Sequence, residues 1–432
     1  MSGSAQVQQR QVVVVGAGQA GLSVAHALHK RGVRPLVLDR HRVGYAWDQQ
    51  RWDSFCLVTP NWQCRLPDYP YDGPDPEGFM PKSEIVNYLQ RYAAFVAPEL
   101  REGVAVQRLL RHGPGYRLVT SEADLFANHV IVATGGYHQP RRHAEAPRLP
   151  SATLQLDARD YRNPASLPPG PVLVVVGSGQ SGAQIAEDLF LAGREVHLSV
   201  GSAPRSPRRY RGKDVVDWLE RMGYYAMPIS DHPDPRAVRS KTNHYLTGRD
   251  GGREIDLRAH ALQGMQLHGR LCGLTADRID FCDDLAANLD QADAVYCRIR
   301  ASIDSWIAKH GIEAPEEAPF SPCWQPGPAK DPGLDLRSQL LAAVIWCTGY
   351  RADFGWIDVP VFDGSGQPAH ERGVTQSPGL YFLGLPWLHT WGSGRFCGVA
   401  DDAEYLASLI SLRLQRRDAS QERLECTALL GS

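Results

Sequence analysis

The sequence predicts an α/β protein of two dinucleotide-binding (Rossmann-like) domains, the second inserted into the first. Three observations predict it. Two glycine fingerprints occur, VVVVGAGQAG (Gly16, Gly18, Gly21) and VLVVVGSGQSG (Gly177, Gly179, Gly182). Each lies between a run of β-branched residues and a helical pattern, the context in which such a fingerprint carries meaning. Each is answered later by a Thr-Gly turn, IVATGG (Ala133, Thr134, Gly135) and IWCTGY (Cys347, Thr348, Gly349).

The elements follow in order. Residues 11–16 read as a fully buried parallel strand. The next segment, AGLSVAHALHKRG, places Leu22, Ala25 and Leu28 on one helical face, with Gly32 as the stop signal. PLVLDR is the second strand, ending at Asp39, and completes a βαβ unit. The same grammar returns in the strand PVLVVVG, the helix QSGAQIAEDLFLAG stopped by Gly193, and the strand EVHLSV. Strands separated by helices imply doubly wound parallel sheets. The stretch 164–171 (PASLPPGP) reads as a connector, and the Pro/Gly-rich stretch 313–333 as a surface loop returning the chain to the first domain. The expected division is 1–165 for the first domain, 166–334 for the inserted one with substrate-facing insertions, and 335–432 for the return. Residues 205–300 fit neither grammar.

At 432 residues the chain is long enough for two or three cores. A net charge of −2 does not favour nucleic acid or a membrane surface as a partner. No apolar run reaches the ~18 residues of a membrane span. The N-terminus has no apolar signal region. The nine cysteines are scattered and none forms C-x-x-C, which argues against a disulfide framework, a zinc site or a dithiol centre. A reducing cytoplasm is the expected compartment. The oligomeric state is open in the sequence; a homodimer is the commonest outcome among soluble oligomers in general.

The fingerprint glycines have mechanical roles. Gly16 permits the turn out of the strand, Gly18 lets backbone approach a pyrophosphate, and Gly21 lets helix and strand pack closely. The helix N-terminus then offers free N–H groups to the phosphates. Asp39 is placed to accept from a ribose diol, so the first site suits FAD or NAD. The second strand ends instead in Ser199, followed by Arg205, Arg208, Arg209, Arg211 and Lys213. A missing acid with arginines nearby favours the 2′-phosphate of NADPH, with Arg205 or Arg208 as its reader. A solvated basic face is the alternative.

These residues resemble the flavin-containing monooxygenases, in the bacterial and plant-like branch. The resemblance covers nearly the whole chain. It includes the Gly16 fingerprint, the turn GYAW (Gly44 to Trp47), LVTPNWQCRLPDYPY (residues 57–71) and FMPKSEIVNYLQRYA (79–93). The Gly177 fingerprint, CTGYRADF (347–354) and the closing GLYFLG and SGRFCGVADDAEYLASLI follow in the family's order. The resemblance implies FAD contacts from Gly16, Gly18, Gln19, Ala20, Gly21, Asp39, Arg40, Trp47, Thr59, Val106, Ala133, Thr134, Gly135, Gly384 and Asp401. It implies NADPH contacts from Gly177, Gly179, Gln180, Ser181, Gly182, Thr348 and Gly349. One departure is large. The family's F-x-G-x-x-x-H-x-x-x-[Y/F] motif aligns with SATLQLDARDYR, where Ser151, Thr153 and Asp157 replace the Phe, Gly and His and only Tyr161 and Arg162 survive. Tyr161 in place of Trp separates the chain from the Baeyer–Villiger branch.

The implied chemistry is hydride transfer from NADPH to FAD. Oxygen transfer from O2 then follows, through a C4a-hydroperoxyflavin, to a small substrate with a nucleophilic nitrogen, sulfur or activated carbon. The cofactor performs the hard step and the protein positions it and excludes water. Asn61 is the candidate catalytic residue, because the family places an amide in this segment near the flavin; an Asn capping a turn after Pro60 is the alternative. The aromatic loop PWLHTWGSGRFCG (386–398), with His389, Trp391, Arg395 and Cys397, is a second candidate region. The polar stretch 241–258 suits either ligand recognition or a dimer contact. The departed motif keeps a rival open, an NADPH:acceptor oxidoreductase or oxidase that does not hold the oxygenated flavin. A non-catalytic nucleotide-binding scaffold is the remaining alternative.

Overall fold

The computed structural model describes residues 8–176, 179–235, 237–239, 243–327 and 333–430. Strand β1 (Gln8–Val15) and helix α1 (Gln19–His29) realise the first fingerprint. Val12, Val13 and Val14 are almost fully buried, as a central parallel strand requires. Leu22, Ala25 and Leu28 are fully buried on α1, and Gly32 adopts the left-handed conformation (φ 76°) past its end. Strand β2 (Leu36–Asp39) lies beside β1. The short helix α2 (Tyr45–Gln49) starts from Gly44, whose positive φ of 82° suits glycine. Helix α3 (Lys82–Val96) and strands β3 (Glu99–Glu102), β4 (Val106–His112), β5 (Gly115–Thr120) and β6 (Leu125–Val132) complete the N-terminal part. The order across this sheet is β4-β5-β6-β1-β2-β3.

The chain then enters a second sheet. Its strands are β7 (Leu154–Asp157), β8 (Val172–Val176), β9 (Val196–Ser199), β10 (Gln266–His268) and, after a long excursion, β11 (Ala343–Cys347). All pair in parallel, in the order β7-β11-β8-β9-β10. Helix α4 (Gln180–Leu191) follows β8 and closes the second βαβ unit. A long helix, α5 (Leu285–His310), is capped by Gly311 at φ 62°. The chain ends with β12 (Leu380–Phe382), parallel to β6, and helix α6 (Val399–Leu430), packed along α1.

Each fingerprint strand therefore lies beside the strand that carries its own Thr-Gly turn, β1 beside β6 and β8 beside β11. The second sheet also takes strands from both sides of residues 166–334, which corrects the expected boundaries. Strand β7 contains Gln155 and Asp157 at the sheet edge, so its strand signal is weak. Strand β11 is buried at all five positions, and a buried strand does not announce which sheet it joins.

Candidate functional site

At the first fingerprint the three glycines differ in what a side chain would meet. A Cβ on Gly16 would lie 2.5 Å from the Ala133 carbonyl oxygen, and its φ is 110°. A Cβ on Gly21 would lie 1.8 Å from the Gly16 oxygen. A Cβ on Gly18 would meet no atom within 4 Å. Gly16 and Gly21 thus serve the packing of strand, turn and helix, while Gly18 faces open space. No side chain caps α1 above Gly18, so its first-turn N–H groups point into that space.

Around it the expected contacts converge. Asp39 Oδ2 accepts from the Ala17 N–H at 2.7 Å and Oδ1 from the His41 N–H at 2.8 Å. A carboxylate has about four acceptor sites, so two remain for a ribose diol. A Cβ on Gly384 would come within 2.6 Å of the Ala20 side chain, which puts the β12 turn against the start of α1. Gln19 Nε2 donates to the Gly394 carbonyl at 3.2 Å and ties α1 to the loop before α6. Trp47 stacks on Phe396, centroids 5.8 Å apart, and contacts Phe55 at 6.0 Å. Arg40 and Thr134 are exposed beside this space, Gly135 has a positive φ of 75°, and Asp401 is exposed in the first turn of α6. Val106 packs at the edge of the first sheet's core. Thr59 is half-buried just before the Asn61 turn. These residues suit FAD through a cradle that a single methyl group at Gly18 would begin to fill.

The second site repeats the cradle. Gly179 is the N-cap of α4 and no side chain caps the helix. A Cβ on Gly179 would lie 3.4 Å from the Cys347 carbonyl oxygen of β11. Gly182 is buried and Ser181 half-buried in the first turn, and Gln180 Nε2 donates to the Leu246 carbonyl at 3.3 Å. Thr348 Oγ1 donates to the Arg141 carbonyl at 2.6 Å, and Gly349 has φ 87°. Gly177 lies outside the described residues.

Arg205 and Arg208 are corrections. Both are 2 % exposed. Arg205 is ion-paired with Glu254, with Asp293 at 2.9 Å and with Asp256 at 3.3 Å. Arg208 pairs with Asp214 at 2.6 Å and donates to the Val58 carbonyl at 2.7 Å. Each guanidinium is neutralised inside the protein and unavailable to a 2′-phosphate. The cause is invisible in a linear reading, because Glu254 and Asp293 come from distant segments. Ser199, at the tip of β9, is buried; its hydroxyl donates to the Gly269 carbonyl and accepts from the Leu271 N–H.

Asn61 is also placed differently from its catalytic reading. It is 3 % exposed. Its Oδ1 accepts from the Met80 N–H at 2.7 Å, its Nδ2 donates to the Asp75 carbonyl at 2.9 Å, and its own N–H donates to the Gly78 carbonyl. The amide staples residues 75–80 to the turn after Pro60. In the departed motif, Asp157 forms a bidentate pair with Arg142 at 2.6 and 3.0 Å, and Tyr161 donates to Asp188 at 2.6 Å. The polar stretch is an internal clasp over its described residues 243–258. Arg249 pairs with Asp188 and Arg253 with Glu187, both on α4, and Gly248 abuts the Leu57 carbonyl. Lys241 and Thr242 lie outside the described residues. Cys397 is a thiol that burial pushes up to about 11, which suits a structural role.

Two residues were missed. Arg51 and Tyr137 flank the space between the two Thr-Gly turns, Tyr137 being 60 % exposed. The signal for Arg51 was its position four residues after Trp47, whose ring it overlies at 5.3 Å. Beside helix α6, a cavity of about 500 Å³ is lined by Arg65, Glu220, Tyr225, His389, Cys397 and Asp401 among others.

Residues 13–222 match the family model described as pyridine nucleotide-disulphide oxidoreductase. An uncharacterized CzcO-like oxidoreductase of Geobacillus kaustophilus is 30% identical over 403 residues, covering 91% of this chain and 96% of that protein. The probable indole-3-pyruvate monooxygenase YUCCA3 of Arabidopsis thaliana is 29% identical over 236 residues, about half of either chain (50% and 52%). The structure of a flavin-containing monooxygenase from Stenotrophomonas maltophilia superposes with a TM-score of 0.63 at 20% identity, covering 94% of this chain and all of the other (100%). With two glycine-fingerprint cradles in one chain and a relative matched along nearly its full length, the chain belongs to the CzcO-like oxidoreductases.

Proposed function

We propose that this chain is an NADPH-dependent flavoprotein monooxygenase, with FAD in the Gly18 cradle and NADPH in the Gly179 cradle. The observation that carries the reading is the pair of uncapped helix N-termini behind parallel strands, each beside its own Thr-Gly turn. Held in these cradles, FAD and NADPH would supply the redox chemistry, hydride from the nicotinamide and transfer of one oxygen atom of O2 to a small nitrogen, sulfur or activated-carbon nucleophile with the other released as water. The protein's share is placement. Gly18 and α1 would hold the pyrophosphate, and Asp39 the ribose. The Trp47–Phe396 stack would wall water from the ring. No described helix is long and apolar enough to cross a membrane, and a cytoplasmic enzyme without nucleic-acid partners fits the near-neutral charge.

A second reading has its own support. Asp157, standing where the family motif has His, is locked to Arg142, and the amide of the catalytic candidate Asn61 is engaged by backbone. That favours an NADPH:acceptor oxidoreductase or oxidase. Rapid mixing of the NADPH-reduced protein with oxygenated buffer separates the two. A transient near-ultraviolet band before oxidised flavin returns supports the monooxygenase. Direct return with stoichiometric hydrogen peroxide, unchanged by candidate nucleophiles, supports the oxidase. Failure of NADPH to reduce the flavin overturns both.

A further inference from the structure

Most arginines near the two sites are matched by carboxylates; Arg205, Arg208, Arg249 and Arg253 are examples. Two are not. Arg51 donates to the Gln50 carbonyl at 2.7 Å. Arg395 donates to the Trp391 carbonyl and to Asn243 Oδ1 at 2.9 Å. Among the described residues, no carboxylate pairs with either.

Both are nevertheless half-buried. Arg395 Cζ lies over Trp391, 3.5 Å from its ring centroid, and Trp391 contacts Tyr225 at 4.3 Å between centroids. Arg51 overlies Trp47 at 5.3 Å and Phe55 at 5.6 Å. Trp47 in turn stacks on Phe396, the chain neighbour of Arg395. Both guanidiniums lie within electrostatic reach of the exposed Tyr137 phenol. Burial depresses the pKa of both arginines; the groups that oppose it are tyrosine phenols and, for Arg395, the Cys397 thiol, with no carboxylate among them. Desolvating a cation is costly unless an anion or a set of hydrogen bonds compensates. Two uncompensated guanidiniums on aromatic platforms, with only partial hydrogen bonding, therefore mark where an anion belongs.

We propose that Arg51 and Arg395 form an oxyanion-recognition pair in the cleft between the two nucleotide sites, taking a carboxylate or phosphate whose bearer lies against Trp391 and Tyr137. Guanidinium forks suit both groups, since each presents paired oxygens. The inference rests on the assignment of the two cradles given above. Two sources share this chemistry, the pyrophosphate of the nicotinamide nucleotide and the carboxylate of a small substrate.

The test uses FAD-loaded protein carrying Arg51→Gln or Arg395→Gln, with Arg395→Lys as a charge-retaining control. One arm titrates NADP+ and reads the flavin absorbance. The other titrates phenylacetate into NADP+-saturated protein and reads tryptophan fluorescence, for which Trp391 beneath Arg395 is a built-in reporter. Loss of a charge-assisted contact should weaken one of the two ligands about 10-fold or more, with partial recovery in Arg395→Lys. Weakened NADP+ assigns the pair to the nucleotide; weakened phenylacetate with unchanged NADP+ assigns it to a carboxylate substrate. Changes below about twofold in both arms overturn the proposal, as does absence of phenylacetate binding to the wild type together with unchanged NADP+ affinity. Neither arginine holds a carboxylate, so both variants should fold; if Arg395→Gln does not, Arg51→Gln carries the test. Flavin reduction by NADPH is recorded separately, so failure of the redox reading is seen independently of these titrations.

Discussion

Replacing Arg205 by methionine separates a structural arginine from a phosphate reader. The side chain is 2 % exposed, touches Glu254, Asp256 and Asp293, and stacks over Tyr296 at 4.4 Å. Methionine keeps much of the volume and removes the charge. Asp293 retains Arg258 at 2.8 Å, and Asp256 retains the backbone N–H groups of Arg258 and Ala259. Glu254 keeps only a backbone contact from Arg208. Burial already raises its carboxyl, and Arg205 holds that rise in check. Breaking a buried pair by removing one partner costs about 3–5 kcal/mol, and the retained contacts place this case near about 3. For a unit of this size that corresponds to a fall of roughly 6–12 °C in the melting midpoint. The sign of the pH dependence follows from Glu254. Without Arg205 its folded-state pKa rises further, so the variant loses stability as pH rises through that value and recovers part of it below. The assay is a thermal melt of wild type and variant at several pH values, with KM for NADPH and NADH beside it. The expected result is a lower midpoint with an unchanged NADPH/NADH ratio. A variant melting within about 1 °C of the wild type, but selectively impaired with NADPH, would refute the reasoning.

Gly18→Val should fold, because a Cβ there meets no protein atom and φ is an ordinary −78°, yet purify without FAD; a stoichiometrically yellow variant would remove the cradle from Gly18. Asn61→Ala should cost about 1–3 kcal/mol through its orphaned partners and expose residues 75–80 to protease. Wild-type stability with a large loss of kcat would restore Asn61 to catalysis. His129 is buried against the Tyr381 hydroxyl at 3.2 Å, and burial lowers its pKa to about 4. Its contribution is present above about pH 6.5 and lost as pH falls towards 4, by about 1.4 kcal/mol per pH unit. His129→Gln should flatten the stability–pH profile in that window, and an unchanged slope between wild type and variant would show that His129 does not titrate there.

Much of the first site was legible because its determinants are local. The three glycines, the N-terminus of α1 and Asp39 lie within one βαβ unit of 32 residues, from Gln8 to Asp39, and turn geometry and burial there depend on near neighbours. The Thr-Gly turns were readable for the same reason, and their strands settled beside the expected partners. Asn61 was read from its surroundings in the chain, but its hydrogen-bonding partners come from residues 75–80, and only folding shows that the amide is occupied.

Charge was the least legible property. Arg205 and Arg208 look like Arg395 in a linear reading, each an arginine near a ligand-binding segment. Their fates differ because Coulomb energy depends on distance, and the distances are set by segments far apart in sequence. Glu254 and Asp293 close on Arg205 across 49 and 88 residues, while no carboxylate reaches Arg51 or Arg395 among the described residues. The same holds for the sheets. Burial along β11 told that it is a strand, but which sheet it joins was decided by packing against Val172–Val176. The sequence by itself determined two glycine fingerprints, their order and the helices they open; the tertiary structure decided which arginines are neutralised inside the protein and which are left without a carboxylate partner among the described residues, because Coulomb energy depends on distances that only folding sets.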